Sequence, residues 1–323
     1  MPTGLELAAH LPLIQFDASP ITRERILGTV RSAAELGFWG IAANDHVIFS
    51  RPWVDGPTAL ATAIPESAEM RICTTIALPT IRGPMQLAKT LISLDALADG
   101  RLVAGVGPGS SSRDYLAAGI SYEQRWRRFD EAALLLRQLL RSEEPRDGEH
   151  YACSTVAAEL QPRPARPIPV WIGSWGSEAG LRRVARLADG WLASGYNTTP
   201  EEFAEARARL DEELARRGKE PSEFSNGLAT MWLWVTESRS EADSILSDRL
   251  GPAVKRDADY LRPRVCVGSA EHCLDLLGRY AAAGLQRVFL WPLGEESRQL
   301  ELVAEKLLPA LRAQSSSPSS ISP

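Results

Sequence analysis

An apolar run ends abruptly in three polar side chains in the segment Gly37-Phe38-Trp39-Gly40-Ile41-Ala42-Ala43-Asn44-Asp45-His46. The pattern predicts a short buried strand whose C-terminal end presents an amide, a carboxylate and an imidazole. Parallel βα barrels place their active sites at such strand ends. The alternative is a plain loop in which Asp45 caps the next turn and His46 is solvated. The rest of the chain favours the first interpretation.

Short β-type runs alternate with longer amphipathic stretches along almost the whole chain. This alternation predicts a parallel sheet with helices between the strands, and eight strands fit a closed α/β barrel of the (β/α)8, or TIM, type. Two long proline-containing connections, 148–169 and 257–268, are interpreted as insertions at the C-terminal strand ends. The predicted strands are 5–8, 40–43, 71–78, 102–106, 170–172, 190–193, 228–236 and 287–290.

The composition is that of an ordinary soluble protein, with 44% hydrophobic and 24% charged residues among 323. The net charge of -5 argues against a nucleic-acid partner. We find no membrane-spanning run and no signal peptide, so we expect a cytoplasmic protein. The four cysteines are scattered without a CxxC pair, and we predict no metal site. We expect a single domain over 1–314 and a disordered tail over 315–323.

Glycines and hydroxyls follow two further strands. After the fourth strand come Gly107, Gly109, Ser110 and Ser112, where the lack of a Cβ lets a flat ring or a phosphate approach the backbone. A flexible loop is the alternative. After the fifth strand, a helix start follows a glycine-serine turn, which is the usual form of an anion site. That turn contains Gly173, Ser174, Gly176 and Ser177, although Ser177 alone could simply cap its own helix.

Two other features leave their roles open. The third strand runs into Pro79, which indicates either a bulge that supports a cofactor ring or a simple strand end. His10 follows the first strand and is either a second proton carrier or a satisfied core histidine.

Several motifs together resemble the bacterial luciferase-like flavin enzymes. They are the Asn44-Asp45-His46 tip, the run Ser93-Leu94-Asp95-Ala96-Leu97-Ala98-Asp99-Gly100-Arg101-Leu102, and the run Ala188-Asp189-Gly190-Trp191. The resemblance implies a (β/α)8 barrel, usually a homodimer, which binds FMN or the deazaflavin coenzyme F420 at the C-terminal strand ends. The closing segment, 267–311, is most similar to the F420-dependent branch, so F420 is the favoured cofactor.

The same resemblance implies a role for each candidate residue. His46 would lie beside the reactive ring carbon as the acid or base, and Asp45 would hold the imidazole or the ring. Ala77 and Leu78 would form a bulged peptide behind the ring, with Asn44 beside it. The ring edge would contact the segment 107–112, which includes Gly107, Gly109, Ser110 and Ser112. The phosphate would bind Gly173, Ser174, Gly176 and Ser177.

The chain departs from the sugar-phosphate dehydrogenases of that branch, since Ser50 and Ser110 stand where those enzymes carry a tryptophan and a glutamate. We therefore predict hydride transfer between F420 and a more apolar small organic molecule. One alternative is an FMN-dependent monooxygenase supplied with reduced flavin by a flavin reductase. Another is a flavin-binding protein without catalytic activity.

Overall fold

The computed structural model describes residues 4–316, with side chains described as far as residue 312. Nine strands alternate with helices along this range. They are β1 (Glu6–His10), β2 (Gly40–Ala43), β3 (Arg71–Ala77), β4 (Leu102–Val106), β5 (Val170–Gly173), β6 (Gly190–Ser194), β7 (Ser225–Val235), β8 (Cys266–Gly268) and β9 (Arg287–Pro292).

The sheet closes into a parallel barrel. Strands β1 to β6 pair in chain order, β6 pairs with β7, β7 with β9, and β9 returns to β1. Eight strands thus form the barrel, which confirms the predicted (β/α)8 fold. The remaining strand, β8, lies outside the ring and pairs only with the last residues of β7.

Helices lie between the strands and cover the outside of the barrel. They are α1 (Arg23–Glu35), α2 (Gly56–Ala63), α3 (Pro79–Arg82), α4 (Pro84–Leu97), α5 (Ser112–Ala117), α6 (Arg125–Leu140), α7 (Ser154–Ala157), α8 (Glu178–Leu187), α9 (Pro200–Ala215), α10 (Arg239–Ser244), α11 (Gly251–Val254), α12 (Ala258–Leu261), α13 (Ala270–Ala282), α14 (Glu296–Lys306) and α15 (Leu308–Ser316). Among residues 4–316, none of these helices combines the length and the apolar character that a bilayer crossing requires.

The barrel interior is a small apolar cluster, separate from the larger core between sheet and helices. Trp171 is its largest member and lies where Gly190 leaves room, because a Cβ on that glycine would come within 2.6 Å of the indole. Side chains therefore fill the barrel interior below its C-terminal mouth, and ligands are confined to the mouth. Its members are Ala8, Ala42, Cys73, Val103, Trp171, Leu192 and Phe289.

Three boundaries differ from the sequence prediction. Strand β7 starts at Ser225, earlier than predicted, and its register against β9 shifts between Leu228 and Met231. The segment 257–268 is not a plain insertion, since it contains α12 and β8. Helix α15 includes residues 315 and 316, which the sequence assigned to the disordered tail. The remainder of that tail, 317–323, lies outside the described residues.

Candidate active site

Residues at or after the ends of β2 to β6, together with Ala229 and Thr230 within β7, surround one cavity of about 360 Å³ at the C-terminal end of the barrel. This volume lies in the range of sites that hold organic ligands. The predicted strand-end residues therefore converge on one site. The predicted residues that line the cavity are Asn44, Asp45, His46, Leu78, Gly109, Ser110, Gly173, Ser174 and Ser177.

Four predicted cofactor residues do not line the cavity. Ala77 is buried in the ladder opposite Val106. Gly107 faces the side chain of Ile76, and a Cβ on it would clash there. The other two serve local structure: Ser112 is the first residue of α5, and Gly176 adopts a φ of +87°, as the turn before α8 requires.

The His46 imidazole is held by a carboxylate from a different strand end. Its Nδ1 lies 2.7 Å from Oδ2 of Asp114, while Oδ1 of Asp114 accepts the backbone N–H groups of Val47 and Ile48. Burial alone would raise the pKa of Asp114, but the bonds from His46 and the two amides hold it below its usual value. An ionised Asp114 places the proton on Nδ1 and leaves Nε2 free.

Sequence reasoning missed Asp114. It stands at the third position of α5 behind the cap residue Ser111, where an acidic residue is common without any function. Only its position in the glycine-serine segment after β4 could have pointed to the site.

Asp45 does not hold His46. Its two carboxylate oxygens accept hydrogen bonds from the Arg82 guanidinium at 2.6 and 2.8 Å. The same guanidinium contacts Asp55, the cap of α2, and these bonds raise the pKa of Arg82 despite its partial burial. Asp45 therefore anchors the strand end. The imidazole is oriented by Asp114, although the resemblance had given that role to Asp45.

The irregular peptide of β3 lies earlier than predicted. A cis peptide joins Thr75 to Ile76, and the register with β4 shifts between Thr74 and Ala77. The Ile76 N–H donates to Oδ1 of Asn44 at 3.1 Å, which fixes this peptide against the tip of β2. The bulged peptide predicted at Ala77 and Leu78 therefore lies earlier in the chain, because Ala77 is already paired with Val106 and Leu78 is the N-cap residue of α3.

The turn after β5 presents hydroxyls at the start of α8. The Ser174 hydroxyl accepts the Gly176 N–H, and the Ser177 hydroxyl accepts the Gly180 N–H, both at 3.3 Å. A Cβ on Gly180 would lie 2.3 Å from the Ser174 oxygen, so this glycine makes room for the hydroxyl. The helix dipole and the two hydroxyls suit an anionic group such as a phosphate, and Arg183, which also lines the cavity, is bonded to Asp130.

His10 is buried beside the barrel mouth but does not line the cavity. Its Nδ1 lies 2.8 Å from the Leu11 carbonyl oxygen, and its Nε2 has no partner. Burial lowers the pKa of His10 to about 3, opposed by the bond to Leu11. His10 is therefore neutral, with the proton on Nδ1.

Two loops close the side of the mouth next to His10. Ile14 and Trp53 form an antiparallel bridge between the loop after β1 and the loop after β2. The Gln15 N–H donates to Pro52 at 3.1 Å, and the Val54 N–H donates to Leu13 at 2.9 Å. The residues of this bridge do not line the cavity, whose lining comes from the segments of β2 to β7.

Outside the cavity, Glu131, Glu149 and His150 place one ligand atom each within 4.8 Å of one another. Glu149 is exposed, and exposed acidic groups occur commonly without a metal. None of these three residues lines the cavity.

Residues 10–251 match the family model described as luciferase-like monooxygenase. The chain belongs to this family. An uncharacterized protein of Mycobacterium tuberculosis is 34% identical over 145 residues, which are 44% of this chain and 49% of that protein, so the chain matches about half of its length. An F420-dependent glucose-6-phosphate dehydrogenase of Beutenbergia cavernae is 27% identical over 314 residues, 87% of this chain and 91% of its own.

Solved structures support the same fold. A monooxygenase from Streptomyces bottropensis aligns with a TM-score of 0.82 at 22% identity and covers 95% of this chain and 99% of its own. An F420-dependent secondary alcohol dehydrogenase, solved with an F420-acetone adduct, aligns with a TM-score of 0.82 at 18% identity. The alignment covers 96% of this chain and 99% of that structure's chain. Proteins described as a monooxygenase and as an F420-dependent dehydrogenase thus share this architecture.

Proposed function

We propose that this protein transfers a hydride between coenzyme F420 and a small organic molecule bound at the barrel mouth. The assignment of F420 is supported by the F420-dependent dehydrogenases that match along most of the chain. A homodimer, which the family resemblance implies, and a cytoplasmic location, which we expect from the sequence, belong to the same proposal. A flavin reductase would be a partner only for an FMN-dependent enzyme.

The observation that carries the proposal is the His46–Asp114 pair at the wall of the cavity. Imidazole exchanges protons near neutral pH, and hydride transfer to or from a carbon bearing oxygen requires a proton to move with it. With Nδ1 bonded to Asp114, His46 takes or gives that proton at Nε2. The Asp114 carboxylate fixes the ring orientation and stabilises the imidazolium that forms.

The residues at the mouth suit a tricyclic cofactor with a phosphate. Bound F420 supplies the hydride acceptor or donor. Asn44 and the Thr75–Ile76 peptide would support the ring, where the buried Thr75 hydroxyl has no hydrogen-bond partner among residues 4–312. Ser174 and Ser177 would hold the phosphate at the start of α8.

The substrate we favour is more apolar than a sugar phosphate. Ser110 lines the cavity at the place where the sugar-phosphate enzymes carry a glutamate. Asp45, the carboxylate among the residues that line the cavity, is bonded to Arg82, and Asp114, four residues after Ser110, is bonded to His46. No free carboxylate therefore replaces the missing glutamate at these positions.

Cofactor binding tests the first half of the proposal. We expect the purified protein to bind F420 at least about tenfold more tightly than FMN, a difference of about 1.4 kcal/mol, in paired fluorescence titrations. Tight FMN binding with weak F420 binding would make the chain an FMN-dependent monooxygenase instead. Binding without turnover of any alcohol or carbonyl compound would indicate a binding protein.

Substitution of His46 tests the second half. We expect His46→Gln to keep F420 affinity and to lower the rate of F420 reduction by about 100-fold or more, as for loss of a general acid or base. Asp95→Asn is the matched control, because Asp95 is a buried carboxylate that accepts a backbone N–H at the opposite end of the barrel. Equal rates in wild type and His46→Gln would overturn the role of His46.

A further inference from the structure

Strand β7 carries one extra residue at the wall of the cavity. Between two paired positions β7 advances by three residues, from Leu228 to Met231, while β9 advances by two, from 288 to 290. Such a mismatch is a β-bulge, and bulges next to active sites re-aim side chains. Consecutive residues of a regular strand face opposite sides, yet Ala229 and Thr230 both line the cavity.

The bulge holds Thr230 in an unfavourable backbone conformation. Its φ is +55°, in the left-handed region that β-branched residues rarely adopt. Gly195, directly after β6, makes room for this conformation, because a Cβ on it would lie 3.1 Å from the Thr230 carbonyl oxygen. Residues held in such conformations cluster at ligand sites, where the strain serves the function. The bulge therefore marks Thr230 as a candidate ligand contact.

Three hydrogen bonds around Thr230 run in one direction. The Thr230 hydroxyl donates its single hydrogen to the Ala229 carbonyl oxygen at 2.7 Å. The Ser194 hydroxyl lies 3.3 Å from Oγ1 of Thr230 and is therefore the donor of the bond between the two side chains. The Asn197 amide in turn donates to the Ser194 hydroxyl at 3.0 Å. Both hydroxyl hydrogens are thus used within the protein.

The two hydroxyl oxygens keep the capacity to accept one further hydrogen bond each. A hydroxyl oxygen accepts two hydrogen bonds, and each of these oxygens accepts one inside the protein. Ser194 and Thr230 both line the cavity, and each is only 8% exposed. A ligand with an O–H or N–H group satisfies these oxygens. A carbonyl or carboxylate oxygen would face them without a hydrogen between.

We propose that Thr230, together with Ser194, determines specificity by accepting a hydrogen bond from an O–H or N–H group of the bound ligand. The donor is either the hydroxyl of an alcohol substrate or the pyrimidine N–H that the rings of F420 and FMN have in common. The two oxygens lie 3.3 Å apart, close enough for one donor to contact both. The proposal rests on the proposed function in that it assigns a contact within the same cavity.

The variant Thr230→Val isolates this hydrogen bond, because it removes the hydroxyl and keeps the β-branched shape. Its affinities for F420 and FMN are measured by fluorescence titration, and those for cyclohexanol and methylcyclohexane by NMR titration of the cofactor-free protein. We expect the ligand that supplies the donor to bind about fivefold more weakly than to the wild type, as for one lost hydrogen bond. Thr230→Ser restores the hydroxyl and should recover the affinity.

The control is Thr29→Val. Thr29 is a buried threonine of α1 whose hydroxyl also donates to a backbone carbonyl, that of Arg25 at 2.9 Å, and it does not line the cavity. A loss confined to F420 and FMN assigns the donor to the cofactor ring, and a loss confined to cyclohexanol assigns it to the substrate. Tighter binding of FMN than of F420 would contradict the proposed cofactor but leave this test intact, since both rings carry the N–H.

The variant Thr230→Gly removes the hydroxyl and the backbone penalty together. We expect its urea midpoint to rise by roughly 0.5 M while it loses the same ligand affinity. Stability and affinity then change in opposite directions, which a purely structural role of Thr230 would not produce. If Thr230→Val does not fold, Thr230→Gly and Ser194→Ala provide the same affinity comparison.

Three results would overturn the proposal. One is unchanged affinity of the variants for F420, FMN and cyclohexanol. Another is an equal loss for methylcyclohexane and cyclohexanol, which would indicate altered packing instead of a lost hydrogen bond. The third is a lower urea midpoint for Thr230→Gly, since the bulge would then carry no conformational cost.

Discussion

Replacing His10 by phenylalanine or by asparagine removes a titrating group from the interior, and we expect this to change how stability depends on pH. Burial lowers the pKa of His10 from 6.5 to about 3, against the opposing bond to Leu11. In the unfolded chain the imidazole titrates near its ordinary value. The unfolded state therefore binds more protons than the folded state between these two values, and stability falls as the pH is lowered through that window.

The magnitude follows from this difference. Each pH unit inside the window changes the free energy of unfolding by about 1.4 kcal/mol. Between about pH 7.5 and about pH 5, His10 should therefore reduce the stability of the wild type by about 2 kcal/mol. Neither variant contains the titrating group. As the pH is lowered over the same range, the free energy of unfolding of each variant should therefore rise by about 2 kcal/mol relative to that of the wild type.

Urea unfolding followed by tryptophan fluorescence at several pH values measures this difference. The asparagine can still donate to Leu11 but packs poorly, whereas the phenylalanine fills the space but cannot donate. Packing effects therefore differ between the variants, while the pH effect should be the same in both. If the stability of wild type and variants changes in parallel with pH, the buried neutral state of His10 is wrong.

Three further predictions concern the mouth. Gly180→Ala should displace the Ser174 hydroxyl, and we expect cofactor titration to show about tenfold weaker binding; unchanged affinity would exclude this turn as the phosphate site. Arg82→Met leaves Asp45 buried without its partner and should lower the free energy of unfolding by about 3 kcal/mol in urea denaturation. The lowered pKa of Asp114 stabilises the folded state above the ordinary carboxyl pKa of 3.8, and this contribution is lost as the pH falls below it. Asp114→Asn should therefore unfold with a shallower acid dependence than the wild type in pH-jump or urea experiments.

The fold was predictable because its signal is local. Each strand is a short apolar run followed by a helix, and the positions of β2, β4 and β9 agree with the sequence to within two residues. Strand β8 was not predictable in this way. It has only three residues and depends on pairing with the last three residues of β7. Hydrophobic periodicity in the sequence does not indicate such a contact.

The sequence indicated which residues lie at the site better than it indicated which side chains bond to one another there. Strand-end position placed His46 and Ser174 at the mouth, since all C-terminal strand ends meet there. Which carboxylate faces the imidazole depends on side-chain direction in three dimensions. Asp45 is adjacent to His46 in sequence, but its carboxylate is bound by Arg82, and this left the contact with His46 to Asp114.

The bridge between Ile14 and Trp53 has a kinetic consequence. A molecule that reaches His10 through these loops must first separate the bridged residues, which breaks the two flanking backbone hydrogen bonds at Gln15 and Val54 together. Association on that side then waits for the loops to part, and its rate should level off with concentration instead of rising in proportion. Entry into the cavity itself, whose lining does not include the bridged residues, carries no such limit. Two ligands that arrive by these separate routes would differ in association rate even at equal affinity.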